Sequence, residues 1–363
     1  MSNTPLRASD FTFYNRPQYF SELVRLCDKC GECDRIVIAS MSFEPAQVSK
    51  LIIAMAEASK RGAEVTLIFD AYAITYAIRG PLRVGAFVWP GVDPVLQARK
   101  HRAISNTVAF LRAAGVRCVV TNQPRFPISP PFVGRSHIKT AIINNRVFIG
   151  GINLHQPSYS DEMTSFVHSA TADWLYAHMI KLAAQPHTTQ AFGTKDLTFH
   201  TDSQTNILLD VGLRNQSVIL ENALDVIEHA KKWLLITCQY FPNGKTAEAL
   251  KRAHERGVNV HIIYNKPQKH GIVELPAQFA SESRERLRLP QQLFRLQLPS
   301  SKPFLHAKVL ASEHEAIVGS HNYISAGVTF GTAELALRRQ DSQFARNAAQ
   351  CILDQVQLSS LLS

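Results

Sequence analysis

The stretch SHIKTAIINNRVFIGGIN, Ser136 to Asn153, decides how this chain folds, because it returns as LHAKVLASEHEAIVGSHN, Leu305 to Asn322. In each copy a histidine and a lysine stand two residues apart in an otherwise apolar run. A polar turn follows, and a second apolar run ends on Gly-Gly or Gly-Ser and an asparagine. On a strand, alternate residues project from one face, about 6–7 Å apart. His137 and Lys139 therefore look one way while Ile138 looks into a core, and His306 and Lys308 share a face in the second copy. Asn144-Asn145 is a tight-turn signal, because asparagine tolerates positive φ; Ser312 to Glu315 makes the second turn. The return strands then bring Gly150, Gly151 and Asn153, or Gly319, Ser320 and Asn322, back beside the histidine and lysine. Glycine there admits a ligand or another backbone at close range.

Working outward, the echo continues. DRIVIASMSFEP (Asp34 to Pro45) has a counterpart in KKWLLITCQYFP (Lys231 to Pro242), and LIIAMAEASKRGAEVTLIFDAY (Leu51 to Tyr72) in AEALKRAHERGVNVHIIYNKP (Ala247 to Pro267). Both longer segments read as a helix closing on Arg-Gly, with Gly62 and Gly257 at the stop, followed by a strand. Same order and same elements mean an internal duplication of an α/β unit. Two lobes are expected, residues 1–190 and 200–363, meeting in the polar, Pro- and Gly-bearing stretch Ala183 to Gln204. The first lobe holds an insertion, GPLRVGAFVWPGVDPVLQARKHR, whose Phe87, Val88 and Trp89 beside a basic run suit a lipid interface or a packed loop. ESRERLRLPQQLFRLQL, Glu282 to Leu298, reads as a basic substrate rim or a solvated amphipathic helix.

Bulk composition narrows the class. A chain of 363 residues, 45% hydrophobic and 19% charged, is globular, with room for one large or two ordinary domains. No apolar run reaches membrane-spanning length, and the opening MSNTPLRASDFTFYNRP lacks the apolar core of a secretory signal. A cytoplasmic protein is expected, peripheral on the inner face of the membrane if its substrate is lipid. The formal charge of +10 favours an anionic partner (nucleic acid, an acidic lipid surface or a phosphorylated substrate) without choosing among them. Cys27, Cys30 and Cys33 have a spacing that invites a metal, but no further ligand lies nearby. The segment reads as a helix ending near Gly31, with its cysteines on one flank, so no metal and no cofactor is expected.

Two hairpins side by side would pool two imidazoles, two ammoniums and two amides. That set suits displacement at a phosphodiester without metal. One imidazole attacks phosphorus, the other protonates the departing oxygen and deprotonates the incoming one, and lysine and asparagine donors neutralise the non-bridging oxygens.

The pattern resembles the phospholipase D superfamily motif H-x-K-x4-D-x6-G-[GS]-x-N, present twice and covering nearly the whole chain. GGIN, GSHN and the QYFP segment look like the cardiolipin synthase branch. The resemblance implies two pseudo-symmetric α/β lobes, each a mixed sheet flanked by helices, with one active site between them and a phosphohistidine intermediate. It implies His137, Lys139, Asn153, His306, Lys308 and Asn322 as catalytic, with Gly151 and Ser320 binding substrate. Family precedent adds a carboxylate after each motif, crossing between halves: Glu334 for His137 and, from SYSDEMTSF, which offers Asp161 or Glu162, Asp161 as the choice for His306. The chain departs from the pattern at Asn144 and Glu313, where the family has aspartate. Those positions lie in the turns, on the order of 20 Å along the strand from the histidine, so they support the hairpin rather than transfer a proton. The leading expectation is a phosphatidyltransferase acting on a phosphatidylglycerol-like phospholipid in contact with an anionic membrane. A metal-independent nuclease and a non-catalytic lipid- or phosphate-binding protein are the alternatives.

Overall fold

A computed structural model of the chain describes residues 5–73, 94–123, 134–155, 159–265, 294–298 and 304–358. In the first half the strands are β1 (Thr12–Tyr14), β2 (Arg35–Ser40), β3 (Glu64–Asp70), β4 (Arg117–Thr121), β5 (Thr140–Ile143), β6 (Arg146–Gly150), β7 (Tyr159–Ser160) and β8 (Met163–Val167). In the second half they are β9 (Leu197–His200), β10 (Thr205–Val211), β11 (Trp233–Cys238), β12 (Asn259–Asn265), β13 (Phe294–Leu298), β14 (Phe304–Leu305), β15 (Val309–Ser312), β16 (Ala316–Gly319) and β17 (Ala333–Arg339).

One sheet has the order β1-β8-β6-β5-β2-β3-β4, the other β13-β12-β11-β15-β16-β17-β10-β9. Read from opposite ends the two orders coincide, with β9 as an added edge. In both, a strand pairs parallel with its successor across a helix, β2 with β3 and β11 with β12, and antiparallel with the hairpin that carries the His-x-Lys motif. The local reasons are those the sequence offers. Asn15 caps the helix Arg16–Cys27 in a reciprocal box with Gln18. Gly62 and Gly257, at φ of +98° and +89°, end the helices Ser49–Lys60 and Lys245–Glu255. Asn144, at φ of +54°, makes the two-residue turn between β5 and β6.

Three apolar layers follow from the alternation. Ala141 and Ile143 face the outer helices of the first sheet, with Leu23 and Met55. Leu310 and Ile317 face the outer helices of the second, with Ile227 and Leu250. Ile138, Ile142, Ala307 and Val309 instead meet in a middle layer shared by both lobes, into which the helices Ser169–Ala184 and Ser342–Gln355 insert Leu175, Met179, Phe344 and Ile352. The architecture is therefore mixed α/β: two mixed sheets flanked by helices, with one core common to both.

Some expectations need correcting. The helix before β2 ends at Cys27 rather than near Gly31, and i→i+3 bonds turn the chain through Cys30 to Asp34. Cys27 and Cys30 are buried and Cys33 is exposed, so the three do not share a helical flank. The insertion does not end as a loop: Pro94–Ala113 is a helix whose Ile104 and Leu111 reach the core. Phe87, Val88 and Trp89 lie outside the described residues, as does most of Glu282 to Leu298. The last five residues of that stretch form β13, parallel to β12, and not a helix. The junction Ala183 to Gln204 carries the short helix Thr188–Phe192 and the edge strand β9. No described helix is long and apolar enough to cross a membrane.

Candidate active site

The two hairpins meet because each lobe borrows backbone from the other. The His137 N–H donates to the Ala333 carbonyl and the His306 N–H to the Ser160 carbonyl, both at 2.8 Å. Ser136 bridges Ala333 in parallel, as Leu305 in β14 pairs with Ser160 in β7. The approach to each motif is pinned by a buried polar side chain at the end of the preceding parallel strand. Asp70 accepts from the Ser136 N–H at 2.9 Å, and Asn265 from the Leu305 N–H at 2.7 Å.

His137 is nearly buried, and its Nδ1 lies 2.8 and 3.0 Å from the two carboxylate oxygens of Glu334. An ionised carboxylate only accepts, so Nδ1 carries the proton and Nε2 presents its lone pair. Burial lowers the His137 pKa to about 4 against the opposing pull of Glu334, so the ring is neutral at pH 7. Burial would raise Glu334, but the His137 ring and its hydrogen bond lower it to about 2. Ser320, fully buried, donates its hydroxyl to Glu334 and accepts from the Leu335 N–H, so it reaches the site through that carboxylate.

The second histidine is placed differently. His306 Nδ1 stands 4.0 Å from Asp161 and has no hydrogen-bond partner among the described residues. Burial, then the charges of Lys308 and Lys139, hold it well below the ordinary imidazole value. Asp161 is taken by Arg16, whose guanidinium also donates to the carbonyls of Asn153 and His155.

Lys139 and Lys308 are fully buried, each donating to the carbonyl of the histidine two residues before it. Burial lowers both, Lys308 to about 8. Glu162, next to Asp161, is buried with neither carboxylate oxygen hydrogen-bonded among the described residues, and burial pushes it well up. Arg16, Lys139 and Lys308 thus face Asp161, Glu162 and Glu334, a set that sums to zero. A proton passing from Lys139 to Glu162 leaves the sum unchanged. An entering anion would find no compensating charge until something else took up a proton.

The asparagine Oδ1 of Asn153 accepts weakly from Ser40 and Ser42, at 3.3 and 3.4 Å, while that of Asn322 is buried without a partner among the described residues. Gly150 and Gly319 serve the sheet: a Cβ would meet the Glu162 carbonyl at 2.4 Å or the Leu335 carbonyl at 2.5 Å. At Gly151 a Cβ would crowd the His306 carbonyl at 3.3 Å, across the lobe boundary. Both turn residues reach back to an adjacent strand. Asn144 accepts from the Arg35 N–H and donates to Asp34, at 3.0 and 2.8 Å, and Glu313 accepts from the N–H groups of Lys231, Lys232 and Trp233. In both copies five residues, not six, separate the turn position from the first glycine.

Sequence reasoning passed over Arg16, His155, Tyr159 and His321, all of which border the site, and weighed Glu162 only as the alternative to Asp161. In the duplicated ladder Asp161 corresponds to Glu334 and Glu162 to Leu335, so the repeat favours Asp161 and carries no signal for Glu162. No candidate metal-binding group occurs among the described residues.

A duplicated mixed α/β fold with paired His-x-Lys hairpins defines an enzyme of the phospholipase D superfamily, a class that transfers phosphodiesters. Residues 23–182 and 223–353 match the family described as "Cardiolipin synthase, PLD-like domain", and the chain belongs to that family. No curated protein matches it in sequence. Among solved structures, phosphatidylserine synthase of Haemophilus influenzae Rd KW20 is 12% identical, with a TM-score of 0.68 over 98% of this chain and 86% of that one. Polyphosphate kinase from Porphyromonas gingivalis is 13% identical, with a TM-score of 0.56 over 95% of this chain and 50% of that one. At such identities the likeness is one of fold.

Proposed function

We propose that the protein is a phosphatidyltransferase of cardiolipin synthase type, working peripherally on an anionic membrane. His137 Nε2 attacks the phosphorus of a phosphatidylglycerol-like lipid, forming a P–N bond as the P–O bond to the glycerol head breaks. The leaving glycerol oxygen takes its proton from His306. The hydroxyl of a second phosphatidylglycerol then gives its proton to His306 and attacks phosphorus, releasing His137 and diphosphatidylglycerol. Lys139, Lys308, Asn153 and Asn322 donate to the non-bridging oxygens.

The observation that carries the reading is the Glu334 carboxylate of one lobe on Nδ1 of the other lobe's His137. It fixes the nucleophilic tautomer and offsets the positive charge the ring gains on phosphorylation. Among the described residues His306 has no such partner, which suits a group that must take up and give back a proton. The neutral buried charge set favours His306 protonation only when the phosphodiester enters, tying the acid to bound substrate.

The test is incubation with phosphatidylglycerol vesicles and, separately, with DNA. Glycerol release with diphosphatidylglycerol formed is the expected result. Strand cleavage instead would assign the nuclease activity, and binding without turnover the non-catalytic role. An alkaline quench during turnover should trap substrate phosphorus on histidine in the wild type and not in His137→Ala; label persisting there overturns the choice of nucleophile. EDTA should leave the rate unchanged.

A further inference from the structure

The two halves treat their carboxylates in opposite ways. β10 pairs with β17 so that Asp210 stands opposite Glu334, and Asp210 spends its oxygens capping the next helix, on the Ser217 hydroxyl and the Ile219 N–H. β1 pairs with β8 in the equivalent place, Tyr14 opposite Met163. Continued two residues further, that register sets Arg16 opposite Asp161. A cation therefore stands where the other half has an acid. Glu334 is left to hold His137, whereas Asp161 is bound by the Arg16 guanidinium. Arg16 is itself nearly buried and anchored to two carbonyls of the segment that follows Asn153. Its guanidinium lies 5.6 Å from the centre of the Tyr159 ring, and that ring stacks on His306 at 5.5 Å.

We propose that Arg16 is a positioning residue which holds Asp161 as its own counter-ion and so keeps His306 without a carboxylate partner, making the two histidines of the one site unequal. The groups facing His306 are Lys308 two residues on in the same segment between β14 and β15, Lys139, His137 and His155 from the first lobe, Tyr159 stacked on it, and Asp161. Glu162 faces Lys308 beside it. Of these only Asp161 is a carboxylate within 4.0 Å of the ring, and Arg16 cancels its pull. Without the guanidinium, the uncompensated acid would turn to the nearest free donor, His306 Nδ1. That the ring serves as the acid rests on the function proposed above; the pairing itself does not.

The test is a pH titration of the substrate-free full chain carrying 15N-labelled histidine, with the His306 signals assigned through His306→Gln. In Arg16→Met the His306 midpoint should rise by about one pH unit or more, as expected for a newly available opposite charge at this range. Arg16→Lys should leave it near the wild-type value, and Arg16→Met with Asp161→Asn should abolish the rise. Should the methionine variant not fold, Arg16→Gln retains donors for the two carbonyls, and the same rise is expected. A midpoint that stays put in a folded Arg16→Met or Arg16→Gln protein overturns the proposal, as does an equal rise in the double variant. Because no substrate is present, this result stands or falls separately from phosphatidyl transfer. In an active enzyme, the alkaline limb of kcat/KM should move upward with the midpoint.

Discussion

Replacing Glu334 by glutamine changes one atom's chemistry and almost no volume, which makes it the most direct probe of the crossed pair. The carboxylate sits 2.8 Å from His137 Nδ1 and also accepts from Ser320. Glu334 Oε2 accepts both the imidazole proton and the Ser320 hydroxyl, and in an amide only one of the two positions keeps an acceptor oxygen. If its NH2 faces the ring, Nδ1 must become the acceptor, and the proton moves to Nε2, the atom that attacks. The lost charge adds to this. With the charge centres about 4 Å apart at an effective dielectric near 20, the carboxylate's interaction with the cationic phosphoimidazole is about 4 kcal/mol. That corresponds to roughly a thousandfold in rate. The assay is turnover of phosphatidylglycerol vesicles, with thermal unfolding and circular dichroism run alongside to verify folding. A folded Glu334→Gln enzyme within about threefold of wild type would refute the reasoning, because neither the tautomer nor the charge would then matter.

Three further outcomes are expected. kcat/KM should fall with rising pH between about 6 and 8, approaching tenfold per unit: His306 must be protonated to act as acid, and in the free enzyme its value lies well below that of ordinary imidazole. The decline should steepen above about 8 as Lys308 loses its proton, and a flat profile would remove His306 from the acid role. Asn144→Asp, which restores the residue usual in the family, should lower stability by about 1–3 kcal/mol, since it sets a carboxylate against Asp34 at a 2.8 Å contact. Denaturant midpoints should recover in the double variant with Asp34→Asn, and an unchanged single variant would dismiss the contact. Gly319→Ala should cost at least about 2 kcal/mol, because the new methyl would lie 2.5 Å from the Leu335 carbonyl in the middle of a sheet; an unaltered midpoint would count against it.

What the sequence revealed was local and periodic. The hairpins were legible because a period of two and an Asn-Asn turn leave few alternatives for eighteen residues. The lobes were legible because the same helix, Arg-Gly stop and strand occur twice. Glu334 and Asp161 were suggested by the family habit of a carboxylate shortly after each asparagine, although one lies 12 residues on and the other 8. Arg16 was not, because its partner lies 145 residues away and a lone arginine opening an amphipathic helix ordinarily points to solvent. The helix Pro94–Ala113 was hidden by the proline, glycine and valine run before it, which reads as loop although Ile104 and Leu111 belong to the core. The end of the helix at Cys27 depended on i→i+3 turns, which carry no periodic signature.

The backbone exchange that joins His137 to Ala333 and His306 to Ser160 has a consequence for how such a centre can change over time. Two identical subunits meeting about a dyad must accept every alteration twice, so a cation opposite one acid would also stand opposite the other. Fusing both halves into a single polypeptide lifts that constraint. Here the first half has an arginine and the second an aspartate at the same rung of the ladder. Division of labour between two matching rings is open to a covalently joined pair and closed to a pair of identical subunits.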